Sequence, residues 1–149
     1  MAFGQGALLV TPLRMAIVAS TIANDGVEPR PFIVRQVVHP LGVSSSMGAA
    51  SLAQPISADT AGDVKKMMIA VVEQGTGTVA QLPGVTVAGK TGTATNPLGR
   101  AHSWFVCFAP AEKPRVAVAV IVENAGYGAE VAAPIARDVL RTALQSVRS

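Results

Sequence analysis

Seven successive residues near the end of this chain, Val116-Ala117-Val118-Ala119-Val120-Ile121-Val122, carry no polar side chain. An extended run apolar on both faces needs strand neighbours along its edges and cover above and below. Two other runs read as extended, Val85 to Ala94 and Ser103 to Ala109. A turn containing Pro110 and Pro114 separates the second run from Val116. Short connections of this kind predict an antiparallel meander. After a glycine-bearing loop (Gly126, Gly128), Val131, Ile135, Val139, Ala143 and Val147 recur every four residues. That spacing predicts a terminal helix packed on the sheet, with Pro134 tolerated in its first turn.

Two more helices are predicted upstream. Thr11 caps the first, and Pro12 occupies its first position, where a missing N–H costs nothing. Leu13, Ala16, Ile17 and Ser20 recur at helical spacing, and Asn24-Asp25-Gly26 stops it. Phe32 to Val38 reads as a short extended segment, and Leu41 to Gln54, rich in Ser, Gly and Ala, as a loop. Ser57 caps the second helix. Its inward stripe is Ala61, Val64, Met68, Val71 and Val72, with Asp63, Lys65, Lys66 and Glu73 turned outward and the Met67-Met68 pair read as core filling. Gly75-Thr76-Gly77 ends it. The expected fold class is α+β, of the three-layer type: a three-stranded antiparallel sheet covered by helices.

Composition narrows the function classes. The 149 residues suffice for one domain with a real core, and 50% of them are hydrophobic against 14% charged. The net charge of +3 is mild, and its basic residues lack interleaved aromatics, so no nucleic-acid partner is expected. Cys107, the single cysteine, sits in an apolar run and reads as a buried thiol. His39 and His102 have no partner at metal-ligand spacing, so no metal or other cofactor is expected. His102 falls just after the loop that follows the Val85–Ala94 run, at its rim. Glu123, Asn124 and Tyr127 occupy the loop after the apolar strand. No apolar stretch reaches the roughly 18 residues of a membrane span, and the first residues lack the pattern of a signal peptide. A protein of this sequence working outside the cytoplasm would take its export signal from elsewhere, and the chain would be a fragment or one part of a split protein.

The chemistry concentrates in Gly89-Lys90-Thr91-Gly92-Thr93-Ala94. One pattern across it is the phosphate-loop formula, Gly84 to Thr91, which would make the chain a nucleotide-binding protein. That formula demands a flexible loop and then a helix opening at Lys-Thr. Here Val85-Thr86-Val87-Ala88 favours a strand, and Gly92, Asn96, Pro97 and Gly99 oppose a helix. The other pattern is a substrate-binding strand. Lys90 and Gly92 would face one way, Thr91 and Thr93 the other. Gly92 lets a peptide backbone lie along the strand edge, and an ammonium with hydroxyls suits a terminal carboxylate.

The surroundings carry a resemblance. Gly4-Gln5-Gly6 with Thr11-Pro12-Leu13-Arg14-Met15-Ala16, then Ile22-Ala23-Asn24-Asp25-Gly26, Gly75-Thr76-Gly77-Thr78 with Ala80, the Gly89–Ala94 strand, Trp104-Phe105-Val106 with Phe108-Ala109-Pro110, and Ala132-Ala133-Pro134 follow one another in order. Together they resemble the penicillin-binding transpeptidase family, whose marks include the Lys-Thr-Gly triplet, and within it the class B, monofunctional branch. The resemblance implies the C-terminal part of a β-lactamase/transpeptidase-like fold over residues 1–149. It further implies a share in a serine D,D-transpeptidase that crosslinks peptidoglycan stem peptides at the extracytoplasmic face of the bacterial membrane.

By that resemblance Lys90, Thr91, Gly92 and Thr93 bind substrate, the D-Ala-D-Ala end of a stem peptide or a β-lactam. The backbone N–H of Thr93 would supply half an oxyanion hole. The family's nucleophile stands in Ser-x-x-Lys, beside a Ser-x-Asn motif. No serine here has lysine three residues on or asparagine two residues on, so no catalytic residue is assigned in this chain. Both motifs would lie upstream of Met1. The missing half of the domain, or a second copy of the chain, would then cover the Val116–Val122 edge. A noncatalytic peptide-binding or scaffold module that keeps the strand is the alternative reading.

Overall fold

The computed structural model describes residues 8–42, 44–46, 48, 50–97 and 99–147. The Gly4-Gln5-Gly6 match lies outside the described residues. Helix α1 spans Pro12–Ala23. Short strands β1 (Glu28–Pro29), β2 (Gln36–Val38), β3 (Ser44–Ser46) and β4 (Ser51–Ala53) follow, then helix α2, Ala58–Gln74. A single 3₁₀ turn, Thr78–Ala80, leads to β5 (Ala88–Ala94), β6 (His102–Ala109), β7 (Val116–Val122) and the last helix, α3 (Ala132–Ser146).

The three long strands form an antiparallel sheet in the order β5-β6-β7. Lys90 stands opposite Val106, and Gly92 opposite Trp104. Period-two alternation then sorts the core. Phe105, Cys107 and Val118 turn to one face, where Ala132, Ala133, Ala136, Leu140 and Leu144 of α3 cover them. Phe108 and Ala88 turn to the other, against Ala19 and Ala23 of α1 and Met68 of α2. Alanines at these contacts let helix backbones come close to a sheet that has few large side chains. The α+β architecture expected from the sequence is therefore present. Its apolar strand β7 pairs on one side with β6, and among the described residues no strand pairs with its other side.

Caps form as their residues dictate. Thr11 Oγ1 accepts from Arg14 N at 3.2 Å, and Ser57 Oγ from Thr60 N at 3.1 Å. Asp25 and Gly26 both take positive φ to end α1. Gly26 is required there, since a Cβ would run into the Ile56 carbonyl.

Several details depart from the sequence reading. α3 buries Ala136, Leu140 and Leu144, while the Ile135–Val139–Val147 stripe lies exposed. α1 meets the sheet through Ala19 and Ala23, and Leu13 is 64% exposed. The supposed Leu41–Gln54 loop contains two strands, β3 paired with β2 and β4 with β1. Lys65 does not point outward. Its ammonium donates to the Ala23 carbonyl at 3.4 Å and to Asp25 at 3.2 Å, tying α2 to the end of α1. Met68 is buried as expected, but Met67 is exposed.

Candidate functional site

β5 is an edge strand: β6 pairs with one side, and no described strand pairs with the other. Every second residue of such a strand directs its N–H and C=O away from the sheet. The four residues singled out in the sequence are contiguous there. Lys90 and Thr93 are exposed, Thr91 and Gly92 half-buried. The alternation is as expected. Gly92 shares a face with Trp104, whose Cβ would lie 3.0 Å from any Cβ added to the glycine. Thr91 falls on the opposite face, opposite Phe105.

Each side chain has a local reason for its place. Gly89 is buried, and the Phe105 ring fills the space a side chain would take. This close approach seats the start of β5 against the core and leaves Lys90 at the surface. The Lys90 ammonium donates to the Thr91 carbonyl at 2.6 Å. Thr91 Oγ1 lies 2.8 Å from Thr76 Oγ1. Thr76 sits in the Gly75-Thr76-Gly77 turn, where the Gly75 and Gly77 N–H groups both donate to the Val71 carbonyl. It was not among the sequence-predicted site residues, although the Gly-Thr-Gly turn was the signal for it.

The β7–α3 connection crosses the back of this edge. Gly128 packs on the Gly92–Trp104 pair so closely that an added Cβ would lie 2.6 Å from the Gly92 oxygen. Ser103, fully buried, holds the connection in place. Its hydroxyl donates to the Tyr127 carbonyl at 3.0 Å and accepts from Ala132 N at 3.1 Å. Gly92 is thus backed by main chain on one face and by Trp104 on the other.

Other candidates fall elsewhere. Cys107 is buried, and that burial pushes its thiol up to about 12, so it stays protonated and inert. Glu112 is held below the usual carboxylate range, first by a hydrogen bond from the Thr86 side chain, at the sheet end away from Thr93. His39 is exposed on the β2–β3 arm. Among the described residues no group of three His, Cys, Asp or Glu side chains could hold a metal ion. Two shallow cavities, about 340 and 370 Å³, lie along Val72–Val87 and between α1 and the β6–β7 turn, and neither is lined by Lys90, Thr91, Gly92 or Thr93. The nucleotide reading fails on geometry. Lys90 and Thr91 lie within a strand, so no helix N-terminus stands over the Gly84–Thr91 segment to receive a phosphate.

The family described as the penicillin binding protein transpeptidase domain matches residues 1–141. The chain belongs to the penicillin-binding transpeptidase family. Peptidoglycan D,D-transpeptidase PbpA of Mycolicibacterium smegmatis is 40% identical over 95% of this chain and 31% of its own length. Stage V sporulation protein D of Bacillus subtilis is 34% identical over 96% of the chain and 24% of its own length. The D,D-transpeptidase domain of a peptidoglycan glycosyltransferase from Eggerthella lenta superposes with a TM-score of 0.84 at 46% identity, covering 92% of this chain and 32% of that one. Penicillin-binding protein A of M. tuberculosis, as a ceftriaxone acyl-enzyme complex, gives 0.87 at 36% identity, covering 95% and 34%. The chain therefore spans about a third or less of the length of these relatives, and it shares the transpeptidase fold of the solved structures over the region it covers.

Proposed function

We propose that this chain supplies the substrate-binding edge of a class B peptidoglycan D,D-transpeptidase acting at the extracytoplasmic face of the membrane. The observation that carries the reading is β5 itself, an edge strand that presents Lys90, Thr91, Gly92 and Thr93 in the family's order. The ligand is the D-Ala-D-Ala end of a stem peptide, or a β-lactam that mimics it. It lies along β5 as an added strand. Lys90 contributes positive charge, and the Thr91 and Thr93 hydroxyls hold the ligand carboxylate. The Thr93 N–H donates to the oxyanion that forms during acyl transfer.

Acyl transfer also needs a nucleophile with its base. A polypeptide bearing Ser-x-x-Lys and Ser-x-Asn completes the site, and the outer edge of β7 is where it adds a strand. α1 and α3 already cover the two faces of β7, so main-chain pairing is what that strand still offers. An uncovered edge of this kind also recruits a second copy. Light scattering of the chain at high concentration should show dimers or larger species. A stable monomer would count against the edge.

Labelling with fluorescent penicillin tests the function. The chain alone should acquire no covalent label. Mixed with a Ser-x-x-Lys half from a related transpeptidase, it should switch on labelling of that half. A covalent adduct on the isolated chain would overturn the assignment. A mixture that binds D-Ala-D-Ala peptides yet takes no label would favour the noncatalytic module.

A further inference from the structure

The two connections flanking the end of β5 are tied together through one residue. Asn124, which follows β7, takes φ +55, a left-handed conformation that asparagine tolerates better than most residues. In that conformation its side chain and its backbone serve different loops. Its Oδ1 accepts from the Asn96 amide, in the β5–β6 connection, at 2.6 Å. Its backbone N–H donates to His102 Nδ1, at the start of β6, at 3.1 Å. One step further on, Gly126 N donates to the Ala101 carbonyl at 2.8 Å. The Arg100 guanidinium lies over Gly126, within 3.3 Å of where a Cβ would stand.

From this we infer that Asn96, Asn124 and His102 form a clamp that fixes the β5–β6 connection as a rim at the Thr93 end of the substrate edge. A ring nitrogen that accepts from an amide carries no proton. His102 therefore holds its proton on Nε2 and presents Nδ1 as a fixed acceptor. Without that acceptor the Asn124 N–H would be left without its partner, and the left-handed turn would lose the contact that orients its side chain toward Asn96. The connection between Ala94 and His102 would then lose its tie to the turn that follows β7. His102 and Asn124 are positioning residues in this account. The consequence for ligand rests on the transpeptidase reading: a fixed rim limits how an extended peptide or a β-lactam side chain passes beyond Thr93.

The variants separate shape from hydrogen bonding. His102→Phe keeps a ring and removes the acceptor. His102→Asn places an amide oxygen near the position of Nδ1. Asn124→Gly keeps the left-handed turn and its N–H but deletes the link to Asn96. Amide exchange, followed residue by residue on the full chain, is the primary readout. His102→Phe should speed exchange at Asn124 and Gly126 by about 5- to 10-fold, the loss of one ordinary hydrogen bond, with Phe105–Ala109 unchanged. His102→Asn should restore most of the protection. Asn124→Gly should speed exchange at Thr95, Asn96, Gly99, Arg100 and Ala101 while sparing the His102 contact. Nitrogen-15 spectra should show His102 Nδ1 unprotonated.

Unchanged exchange at Asn124 in His102→Phe would overturn the clamp, as would failure of His102→Asn to rescue. An equal loss of protection across Phe105–Ala109 would also overturn it, because His102 would then be a general packing residue. In a mixture with a Ser-x-x-Lys half, His102→Phe should also slow penicillin acylation several-fold, with rescue by His102→Asn. If that mixture is inert with the unaltered chain, the transpeptidase reading has failed, and the exchange data still decide the clamp.

Discussion

The hydroxyls of Thr91 on β5 and Thr76 in the turn after α2 meet at 2.8 Å. This contact joins the middle of the β5 edge to the end of the helix that flanks it. Two residues fifteen positions apart thus fix one strand margin. Thr91→Val and Thr76→Val keep the branched shape and lose the bond. Each should lower the unfolding free energy by about 1 kcal/mol, and the double variant by less than the sum. Denaturant unfolding of the four proteins checks this; strict additivity would show that the hydroxyls do not interact.

Lys90 is exposed and bonds only its own strand among the contacts described. Lys90→Ala should therefore change stability by less than about 0.5 kcal/mol. In the complemented enzyme it should slow penicillin acylation by about 10-fold, as expected for loss of a charge-assisted contact to a carboxylate. Thermal unfolding and acylation kinetics, measured on the same preparation, test the two halves of this expectation.

Two glycines at the edge should resist substitution for different reasons. A methyl at Gly89 would sit 2.6 Å from the Phe105 ring and 3.1 Å from Val72 Cγ2. Those side chains can shift, so Gly89→Ala should cost about 1–3 kcal/mol. A methyl at Gly128 would meet main-chain atoms of Gly92 and Trp104, which cannot yield without moving the sheet. Gly128→Ala should cost at least as much, and should also disturb the Gly92 amide resonance, which an effect confined to the loop would leave in place.

Burial raises the Cys107 thiol from 9.0 to about 12. The folded state thus holds a proton that the unfolded chain releases at lower pH. The stability from this group is complete below pH 9 and is lost as pH climbs toward 12, by up to about 1.4 kcal/mol per pH unit within that window. Cys107→Ala should flatten the alkaline limb of the stability curve relative to the unaltered chain. The native thiol should react with aromatic disulfides only under denaturing conditions.

The sheet was legible in the sequence because its residues answer to one another at close range. Val116–Val122 needed pairing and cover, the turn prolines bounded it, and Gly89–Ala94 could hardly be anything but extended. α3 was placed but turned the wrong way. Its Val131–Val147 repeat and its Ala136–Leu140–Leu144 repeat are both apolar at helical spacing, and period alone cannot say which one meets the sheet. In the β2–β3 arm, β2 falls within the extended Phe32–Val38 segment of the sequence reading, while β3 falls within its loop. The arm's strands are exposed on both faces, so main-chain pairing makes them and no side-chain alternation records it. At the site, the Lys90–Thr93 edge was read from its motif. Thr76 in its Gly-Thr-Gly turn, His102 at the rim and Asn124 in the loop after β7 were visible as positions. Their pairings with Thr91, Asn124 and Asn96 join segments far apart in the chain, which no local pattern encodes.

The most direct test of the account is a crystal structure of this chain with a Ser-x-x-Lys half, acylated by a β-lactam. The ligand carboxylate should lie within about 3 Å of the Thr91 and Thr93 hydroxyls, with the acyl oxygen facing the Thr93 N–H and the ligand stretched along the outer edge of β5. A β-lactam seated away from β5, with Lys90–Thr93 touching no part of it, would contradict the account.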